Sequence, residues 1–403
     1  MVDYRQDAER GRWAVAAMFL VNGFIMGAWA AQIPLLMPRH DIREGMVGLI
    51  ILALGIGAVG AMLLAGRLIA RFGSRRMVVV FGMASAVSFP LLILCPSLAV
   101  VFPLAAIMGA VTGTMDVSMN ANSVAVERRL GRAIMSSSHG FWSLGGFAGG
   151  SLGALVIARF GAEVQVLLVG GLSALIVAVA GSAMMYDAPH GPDYGSERGP
   201  ETGKRQRQTF PKKPILYLIG AMALFTMVPE GAVLDWAAIY LQKDLGTSLA
   251  VAGLGYAAFS MMMAGMRFAG DSLRNRFGAV RTLQVSGLAG ALGMGLAAAA
   301  PTGWVAIVGF AISGIGIANM VPILFSAAGN MPGLSPGAGI ATVTMMGYSG
   351  ILVAPSTIGF VAQHVGFRLT FGVLSVILLV VVALAGKAEA ADRIKTGATG
   401  AQV

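Results

Sequence analysis

The amino-acid sequence predicts an all-α membrane protein in which twelve transmembrane helices form two pseudo-symmetric six-helix bundles. Three observations support this prediction. Hydrophobic residues make up 57% of the 403 residues and charged residues only 11%, which is typical of a polytopic membrane protein and not of a soluble domain. Long apolar stretches recur along the whole chain, and short motifs occur twice, once in each half.

Charges, prolines and turn residues divide the chain into apolar segments long enough to cross a hydrocarbon core of roughly 30 Å. The twelve predicted spans are 13–37, 46–69, 77–95, 98–126, 134–158, 164–186, 214–241, 249–272, 280–299, 304–328, 337–362 and 367–387. The first span is too long for a cleavable signal peptide and lacks a small-residue cleavage site, so we expect it to remain in the protein.

Residues 187–213 interrupt the apolar pattern with Pro, Gly and charged residues, which predicts a flexible cytoplasmic linker. The linker separates an N-terminal bundle over 1–186 from a C-terminal bundle over 214–403, which ends in a short cytoplasmic tail. The basic residues of the linker are expected mainly to be solvated, and contact with anionic lipid is the alternative.

The distribution of Lys and Arg predicts the orientation. With a cytoplasmic amino terminus, 23 of these residues lie on the inner side and five on the outer side, and the inner group includes Arg267 near the end of the eighth span. Both termini are therefore predicted to be cytoplasmic. The net charge of +10 is explained by this asymmetry, so nucleic acid is not expected as a partner.

Two sequence motifs indicate an internal repeat. ARFGSRR at Ala70–Arg76 follows the second span and NRFGAVR at Asn275–Arg281 follows the eighth, an offset of 205 residues. WAA occurs at Trp29–Ala31 in the first span and at Trp236–Ala238 in the seventh. Two parallel six-helix repeats are typical of secondary transporters, whose substrate site lies between similar bundles.

The segment GRLIARFGSRR at Gly66–Arg76 resembles the Gly-x-x-x-Asp-Arg-x-Gly-Arg-Arg loop of the major facilitator superfamily. Chain length and topology are similar to that family throughout, which implies the major facilitator fold. In the family, the loop aspartate latches the outward-facing state, but Ala70 and Asn275 occupy its two positions here, so we expect a weaker latch or partial replacement by Asp271. The implied gating residues are Gly66, Arg71, Gly73, Arg75, Arg76, Asp271 and Arg276; for the arginines, a purely positive-inside role is the alternative.

Two spans are similar to the fucose-permease-like branch of this superfamily. The fourth span carries an acid followed four residues later by Asn, at Asp116 and Asn120, and the fifth carries polar residues around Phe-x-Ser-x-Gly, with His139 and Trp142. The resemblance implies that the fourth-helix acid takes part in proton coupling and that fifth-helix polar residues contact a sugar. The first-helix aspartate of fucose permeases has no acidic counterpart near Gln32.

Asp116 lies in the apolar stretch TMDVSMN, where a charged side chain costs about 2.5–3.5 kcal/mol on insertion scales. Asp116, Asn120, Ser123 and Glu127 recur at helical spacing and share one face, which we expect to line a cavity. A proton-coupling role is favoured for Asp116, since no basic residue lies near it in sequence. Glu127 adjoins two arginines, so an ion pair at the membrane interface is favoured there.

The seventh span contains VPEGAVLDWAAIYL, in which Pro229 and Gly231 predict a kink beside Glu230. Transporters place ligand groups at discontinuous membrane helices, so Glu230 is predicted to couple protons or bind the solute. Asp235 lies nearer the outer interface, where it is expected to bind the solute, to be solvated or to pair with Lys243.

His139 is a third proton-coupling candidate, because imidazole titrates near physiological pH; hydrogen bonding to neighbouring hydroxyls is the alternative. Amides and aromatic rings of several spans suit a pocket for a polar or aromatic solute, although the rings are equally explained by helix packing. The predicted substrate-binding residues are Trp29, Gln32, Asn120, Trp142, Asp235, Trp236, Tyr256, Asn319 and Tyr348, with Asn22 beside them.

The single cysteine allows no internal disulfide, and neither a metal-ligand cluster nor a nucleotide-binding loop is present in the sequence. We therefore expect no metal, no cofactor and no enzymatic activity. The predicted function is proton-coupled secondary transport of a small polar or amphipathic organic solute, with sugars among the candidates, across the inner membrane by a monomer. The partners are then the solute, protons and the lipid bilayer. Proton-driven efflux of hydrophobic drugs and a membrane sensor or scaffold without transport are the alternatives.

Overall fold

The computed structural model describes residues 4–42, 44–187, 213–247 and 249–395. These residues are almost entirely helical and include no strand. The helices are α1 (Tyr4–His40), α2 (Glu44–Phe72), α3 (Ser74–Leu94), α4 (Leu98–Leu130), α5 (Met135–Phe160), α6 (Ala162–Ala183), α7 (Pro214–Lys243), α8 (Leu249–Phe277), α9 (Ala279–Ala298), α10 (Gly303–Ile317), α11 (Met320–Gly329) and α12 (Pro336–Leu384), followed by a 3₁₀ helix at Ala385–Lys395.

The predicted spans correspond to these helices, with two differences in segmentation. The tenth span is divided into α10 and α11 at Asn319, and the last two spans are joined in α12, which is non-helical only at Gly366 (φ 80°, ψ 160°). Ten helical segments of the described ranges are long and apolar enough to cross a membrane; α8 and α9 are not among them. The predicted all-α, multi-pass membrane fold is confirmed.

The chain forms two compact units. Unit 1 contains α1 to α6 and the segment Met331–Thr342, and unit 2 contains α7 to α11, the rest of α12 and the short segment Met135–Ser137 at the start of α5. Nearly all of the predicted linker, 188–212, lies outside the described residues, so the division at 187–213 stays a prediction.

In unit 1, α4 packs against α1, α2 and α3. Small residues permit this packing, since a Cβ atom at Gly57 of α2 would overlap the backbone of Ala106 of α4. On α1, a Cβ atom at Gly23 would overlap the carbonyl oxygen of Trp142 of α5. The close approach of α1, α4 and α5 brings the polar side chains of these three helices within hydrogen-bonding distance of one another.

In unit 2, an aromatic cluster joins α7, α10 and α12. The ring of Tyr240 lies 6.3 Å from Phe310 and 5.2 Å from Phe371, and Phe310 lies 5.3 Å from Phe371. The buried Tyr240 hydroxyl donates to the carbonyl oxygen of Ala297 on α9 at 2.7 Å. Burial of rings with a satisfied hydroxyl fixes the carboxyl-terminal part of α7 relative to its neighbours.

Candidate functional site

The first polar cluster lies in unit 1 and contains Asp116, Asn120 and His139. Asp116 and Asn120 are buried one turn apart on α4, with 6% and 0% of their surface exposed. The Asn120 amide nitrogen donates to the Asp116 carbonyl oxygen at 2.9 Å and lies 3.4 Å from the Asp116 carboxylate. The Asn120 amide oxygen lies 3.1 Å from Nε2 of His139 on α5. The structure thus joins two residues predicted to couple protons through one amide.

The orientation of the Asn120 amide follows from these contacts. A backbone carbonyl only accepts hydrogen bonds, so the amide nitrogen faces Asp116 and the amide oxygen faces His139. Because that oxygen also only accepts, a hydrogen bond at this contact requires the Nε2–H form of His139 as the donor. The imidazole is half-buried and packs edge-on against Phe19 of α1, with 5.0 Å between ring centroids.

A second set of hydrogen bonds lies one turn away on the same faces. Trp142 of α5 donates its indole N–H to the Asn22 amide oxygen of α1 at 2.9 Å, and Asn22 donates to the Thr112 carbonyl oxygen of α4 at 3.3 Å. Trp142 is half-buried. Asn22 and Trp142, both considered as lining residues, therefore adjoin the cluster of Asp116.

Gln32 lies apart from this cluster. It is fully buried between α1 and α6, where its amide nitrogen donates to Gln165 Oε1 at 2.7 Å and to the Ala162 carbonyl oxygen at 3.0 Å. The paired amides join α1 to α6, while Gln32 Oε1 has no hydrogen-bond partner among the described residues, and the predicted substrate contact stays a prediction. Trp29, 4% exposed, is similarly buried.

Glu127 lies near the carboxyl end of α4. It lies inside unit 1 with none of its surface exposed, and its carboxylate accepts a hydrogen bond from the backbone N–H of Ile134 at 3.0 Å. The chain turns back at Gly131, where φ is 65°, and this turn brings Ile134 to the acid. The α4–α5 turn thus supplies a backbone partner for this acid, and the predicted ion pair at the membrane interface stays a prediction.

The second polar cluster lies in unit 2 and contains Glu230, Arg267 and Asn319. Glu230 on α7 forms an ion pair with Arg267 on α8, with 3.3 Å between Oε1 and Nη2. The Arg267 side chain is 8% exposed and that of Glu230 is 32% exposed. The orientation prediction counts Arg267 among the inner residues, whereas it lies within α8, which continues for about 15 Å beyond it to Phe277.

Sequence reasoning missed Arg267 as a site residue. The signal was its isolation in the apolar run MMMAGMRFAG, where a lone cation needs a buried partner. Around Glu230, α7 is continuous from Pro214 to Lys243, so Pro229 does not end the helix as a discontinuous span would require.

Asn319 occupies the break between α10 and α11 and is fully buried. Neither atom of its amide has a hydrogen-bond partner among the described residues. The amide lies against Gly270 of α8, where a Cβ atom would overlap it. Gly270 follows Arg267 by about one turn of α8. Asn319 therefore lies against the face of α8 that carries Arg267.

The other predicted binding residues of unit 2 occupy more open positions. Asp235 and Tyr256 are exposed, and Tyr348 is partly buried. Asp235 forms no ion pair with Lys243 in the described residues, so that alternative is not found. Trp236 is partly buried and packs on Phe367, with 5.7 Å between ring centroids.

The predicted gating loops show one buried capping acid. Both carboxylate oxygens of Asp271 accept hydrogen bonds from backbone N–H groups within unit 2, from Ser136 at 2.9 Å and from Ser137 at 2.8 Å. Next on α8, the buried Arg274 donates to Ser326 Oγ and to the Ala391 carbonyl oxygen, each at 2.7 Å. Asp271 therefore provides an acceptor at a helix amino terminus, the chemistry expected of a latch aspartate.

In unit 1, the residues of the first loop have different environments. A Cβ atom at Gly66 would lie 3.0 Å from Ala338, and Gly73 has a φ of 81°, so both positions favour glycine. Arg75 donates to the Gly181 and Ser182 carbonyl oxygens, each at 3.2 Å. Three further arginines of these loops are exposed, which also fits the positive-inside alternative. They are Arg71, Arg76 and Arg276.

A cavity of about 190 Å³ lies in unit 1 beside Ala70, the position of the family's aspartate. The first residues of α12 form one side of it. Its lining residues are Ile69, Ala70, Ala121, Ala125, Arg128, Asp187, Ser335, Pro336 and Gly337. With Ala70 in place of the aspartate, this cavity lies open beside the amino terminus of α12.

Two capping aspartates were also missed. Asp187 accepts hydrogen bonds from the N–H groups of Ser74 at 2.9 Å and Arg75 at 3.2 Å, and Asp392 accepts from the N–H of Ala279 at 2.6 Å. These carboxylates cap the amino termini of α3 in the first repeat and α9 in the second. Their separation of 205 residues equals that of the two RFG motifs, which was the signal in the sequence.

Comparisons with known proteins agree with this fold. The family described as Major Facilitator Superfamily matches residues 15–335 and 236–400. The chain is 34% identical over 374 residues to an uncharacterized MFS-type transporter of Yersinia pestis, covering 91% of this chain and 93% of that protein. It is 33% identical over 360 residues to the membrane protein MosC of Rhizobium meliloti, covering 88% and 84%.

Among solved structures, the chain is similar to the fucose:proton symporter FucP of E. coli, with a TM-score of 0.75. The likeness covers 93% of this chain and 97% of that chain at 14% identity. At this identity the likeness shows the fold alone.

Proposed function

Because this chain belongs to the major facilitator superfamily, a family of membrane transporters and not of enzymes, we propose that it is a proton-coupled secondary transporter. Its substrate is a small polar or amphipathic organic solute, carried by alternating access. We also propose that it is a monomer in the inner membrane, and the distribution of Lys and Arg supports a topology with both termini in the cytoplasm.

The observation that carries this proposal is the buried chain from Asp116 through Asn120 to His139. A carboxylate accepts hydrogen bonds, whereas a protonated carboxyl also donates one. Uptake of a proton by Asp116 therefore weakens the contact at 3.4 Å between its carboxylate and the Asn120 amide nitrogen and adds an O–H donor beside that amide. This donor is available to a solute only when the proton is bound, so that proton binding and solute binding are linked.

The neighbouring groups support a solute with both polar and apolar surface. Asn22 and Trp142 combine an amide with a half-buried aromatic ring beside the acid. Aromatic rings bind the apolar face of a solute while amides orient its polar groups. Sugars have both kinds of surface, and the similar fold of the fucose:proton symporter keeps them among the candidates.

Transport in liposomes tests the proposal. Purified protein is reconstituted, a pH gradient is imposed, and accumulation of labelled sugars and amphipathic solutes is measured together with proton flux. Symport gives accumulation on the alkaline side, drug efflux by proton exchange gives accumulation on the acidic side, and a sensor or scaffold gives no flux.

The variant Asp116→Asn keeps the shape of the side chain and removes its titration. We expect gradient-driven accumulation to be abolished while solute binding and exchange between equal pools persist. Ser118→Ala is the matched control, since Ser118 is buried on the same helix and donates only within it, to Thr114. Full proton coupling in Asp116→Asn would contradict the assignment of this acid.

A further inference from the structure

Arg267 is a buried cation in a membrane helix. With 7% of its surface exposed, it lies inside unit 2 and far from either end of α8. A guanidinium in this environment must be paired, and its planar fork of N–H donors matches the geometry of a carboxylate. Its contact with Glu230, at 3.3 Å, is longer than the roughly 2.7–2.9 Å of strong charge-assisted hydrogen bonds. The pair is therefore suited to exchange of its acid.

The two partners differ in their access to the surroundings. The Glu230 side chain is 32% exposed and that of Arg267 is 8% exposed, so Glu230 is the group that meets an incoming proton. The amide of Asn319 lies against Gly270, one turn beyond Arg267 on α8. It is fully buried, and neither its oxygen nor its nitrogen has a hydrogen-bond partner among the described residues. Buried amides without partners are rare, and this one indicates a bound polar group or water.

We propose that Arg267 and Asn319 form an anion-recognition site in unit 2 that binds the carboxylate of a small organic acid, and that Glu230 releases Arg267 by taking up a proton. This inference rests on the proposed transport function and names its substrate class. Arg267 supplies the charge and the fork of donors. The amide N–H of Asn319 donates one hydrogen bond to the substrate, next to the carboxylate that Arg267 binds.

The charge balance favours this exchange. In the empty site, the negative Glu230 neutralises Arg267; in the loaded site, Glu230 carries a proton and is neutral, and the substrate carboxylate neutralises Arg267. The site has no net charge in either state, so neither state leaves an uncompensated ion in the membrane interior. At this site, one proton is taken up with each carboxylate that binds.

Glu230 forms an ion pair with this cation, and the elements packed against α7 differ in the other charged groups they carry. Helices α10 and α11, which both pack on α7, carry no charged or titratable residue. On α8, Asp271 is held by the N–H groups of Ser136 and Ser137. The charged or titratable groups on the elements packed against α7 are Tyr256, Arg267, Asp271, Arg274 and Arg276 on α8, Tyr348, His364 and Arg368 on α12, and Lys387, Glu389, Asp392, Arg393 and Lys395 on the 3₁₀ helix.

Matched pairs of probes test the proposal on the purified full-length protein. D-galacturonate is compared with D-galactose, and benzoate with benzamide, by thermal unfolding and by the Kd at pH 5.5 and pH 7.5. We expect at least one acid to bind, and its neutral counterpart to bind at least about tenfold more weakly, which is about 1.4 kcal/mol. Acid binding should be stronger at pH 5.5, because one proton is taken up with each bound carboxylate.

Variants separate the two roles. Glu230→Gln imitates the protonated acid, so it should bind the acid at pH 7.5 as tightly as the unmodified protein does at pH 5.5, without further pH dependence. Arg267→Gln should weaken acid binding at least about tenfold. The double variant with both substitutions leaves no unpaired charge at the pair and should show the same loss of acid binding. It therefore tests the role of Arg267 even if Arg267→Gln alone does not fold. Lys243→Gln, at the exposed end of α7, is the control.

The proposal is overturned if a neutral probe binds as tightly as its acid, if acid binding survives Arg267→Gln or the double variant, or if no acid binds at either pH. These results differ from failure of the proposed function. Uptake of a neutral solute that requires Asp116 would preserve proton-coupled transport and remove only the acid site. Absence of any coupled flux in liposomes would remove the transport proposal itself.

Discussion

Asp187→Ala should lower the free energy of unfolding of unit 1, because the Asp187 carboxylate caps the amino terminus of α3. It accepts hydrogen bonds from the N–H groups of Ser74 at 2.9 Å and Arg75 at 3.2 Å. Loss of a capping side chain costs about 0.5–2 kcal/mol. Loss of a negative charge at the positive end of a helix dipole adds about 0.3–1 kcal/mol.

The expected total for Asp187→Ala is about 2 kcal/mol, which corresponds to a fall in apparent Tm of about 4–8 °C for a unit of this size. Tryptophan fluorescence of the detergent-purified protein during heating at a fixed rate measures it. Asp187→Asn keeps an acceptor and should lose about half as much. Asp392→Ala, the counterpart in unit 2, should give a similar fall.

Asp244→Ala is the matched control for the capping prediction. Asp244 is exposed at the carboxyl end of α7, and its side chain makes no hydrogen bond in the described ranges. Removal of an acid from that end of a helix should be neutral or slightly stabilising. A shift for Asp187→Ala no larger than that for Asp244→Ala would refute the reasoning.

Three further predictions concern the helix contacts, the polar cluster and the loop of unit 1. Gly23→Ala would drive a methyl group into the Trp142 carbonyl and should cost about 1–3 kcal/mol in thermal unfolding, whereas Gly48→Ala, with open space around it, should not destabilise; equal shifts would contradict the packing argument. His139→Gln keeps a donor for its amide partner on α4 and removes the titration, so transport should become less dependent on pH between about 5 and 8; an unchanged pH profile would exclude this histidine. Ala70→Asp places an acceptor in the cavity beside the start of α12 and should favour the outward-facing state by about 1 kcal/mol. The measurement is reduced labelling of cysteines introduced along the inner cavity. Unchanged labelling would exclude a latch at this position.

Local spacing explains what the sequence could predict of the site. Asp116 and Asn120 are four residues apart, so helical geometry alone places them together, and the structure shows their contact. The repeat of 205 residues contains a second local signal, because Asp187 and Asp392 are as far apart as the two RFG motifs. Both are relations along one chain segment or between equivalent segments, which need no knowledge of helix packing.

Partners on different helices required the tertiary structure. The sequence does not specify the rotation of α5 about its axis, which brings His139 to Asn120, or the pairing of α7 with α8, which joins Glu230 to Arg267. The same limit explains Gln32, whose polarity indicated a cavity but whose partner on α6 is another amide.

The sequence by itself determined that the chain is a bundle of membrane-spanning helices, because lipid leaves the backbone no alternative to internal hydrogen bonds and long apolar segments therefore become helices. It also determined the family, through the loop after the second span. The tertiary structure alone decided which buried polar groups meet. Helix faces pack by the shapes of small residues such as Gly23 and Gly270, and those shapes become contacts only when the helices are placed side by side.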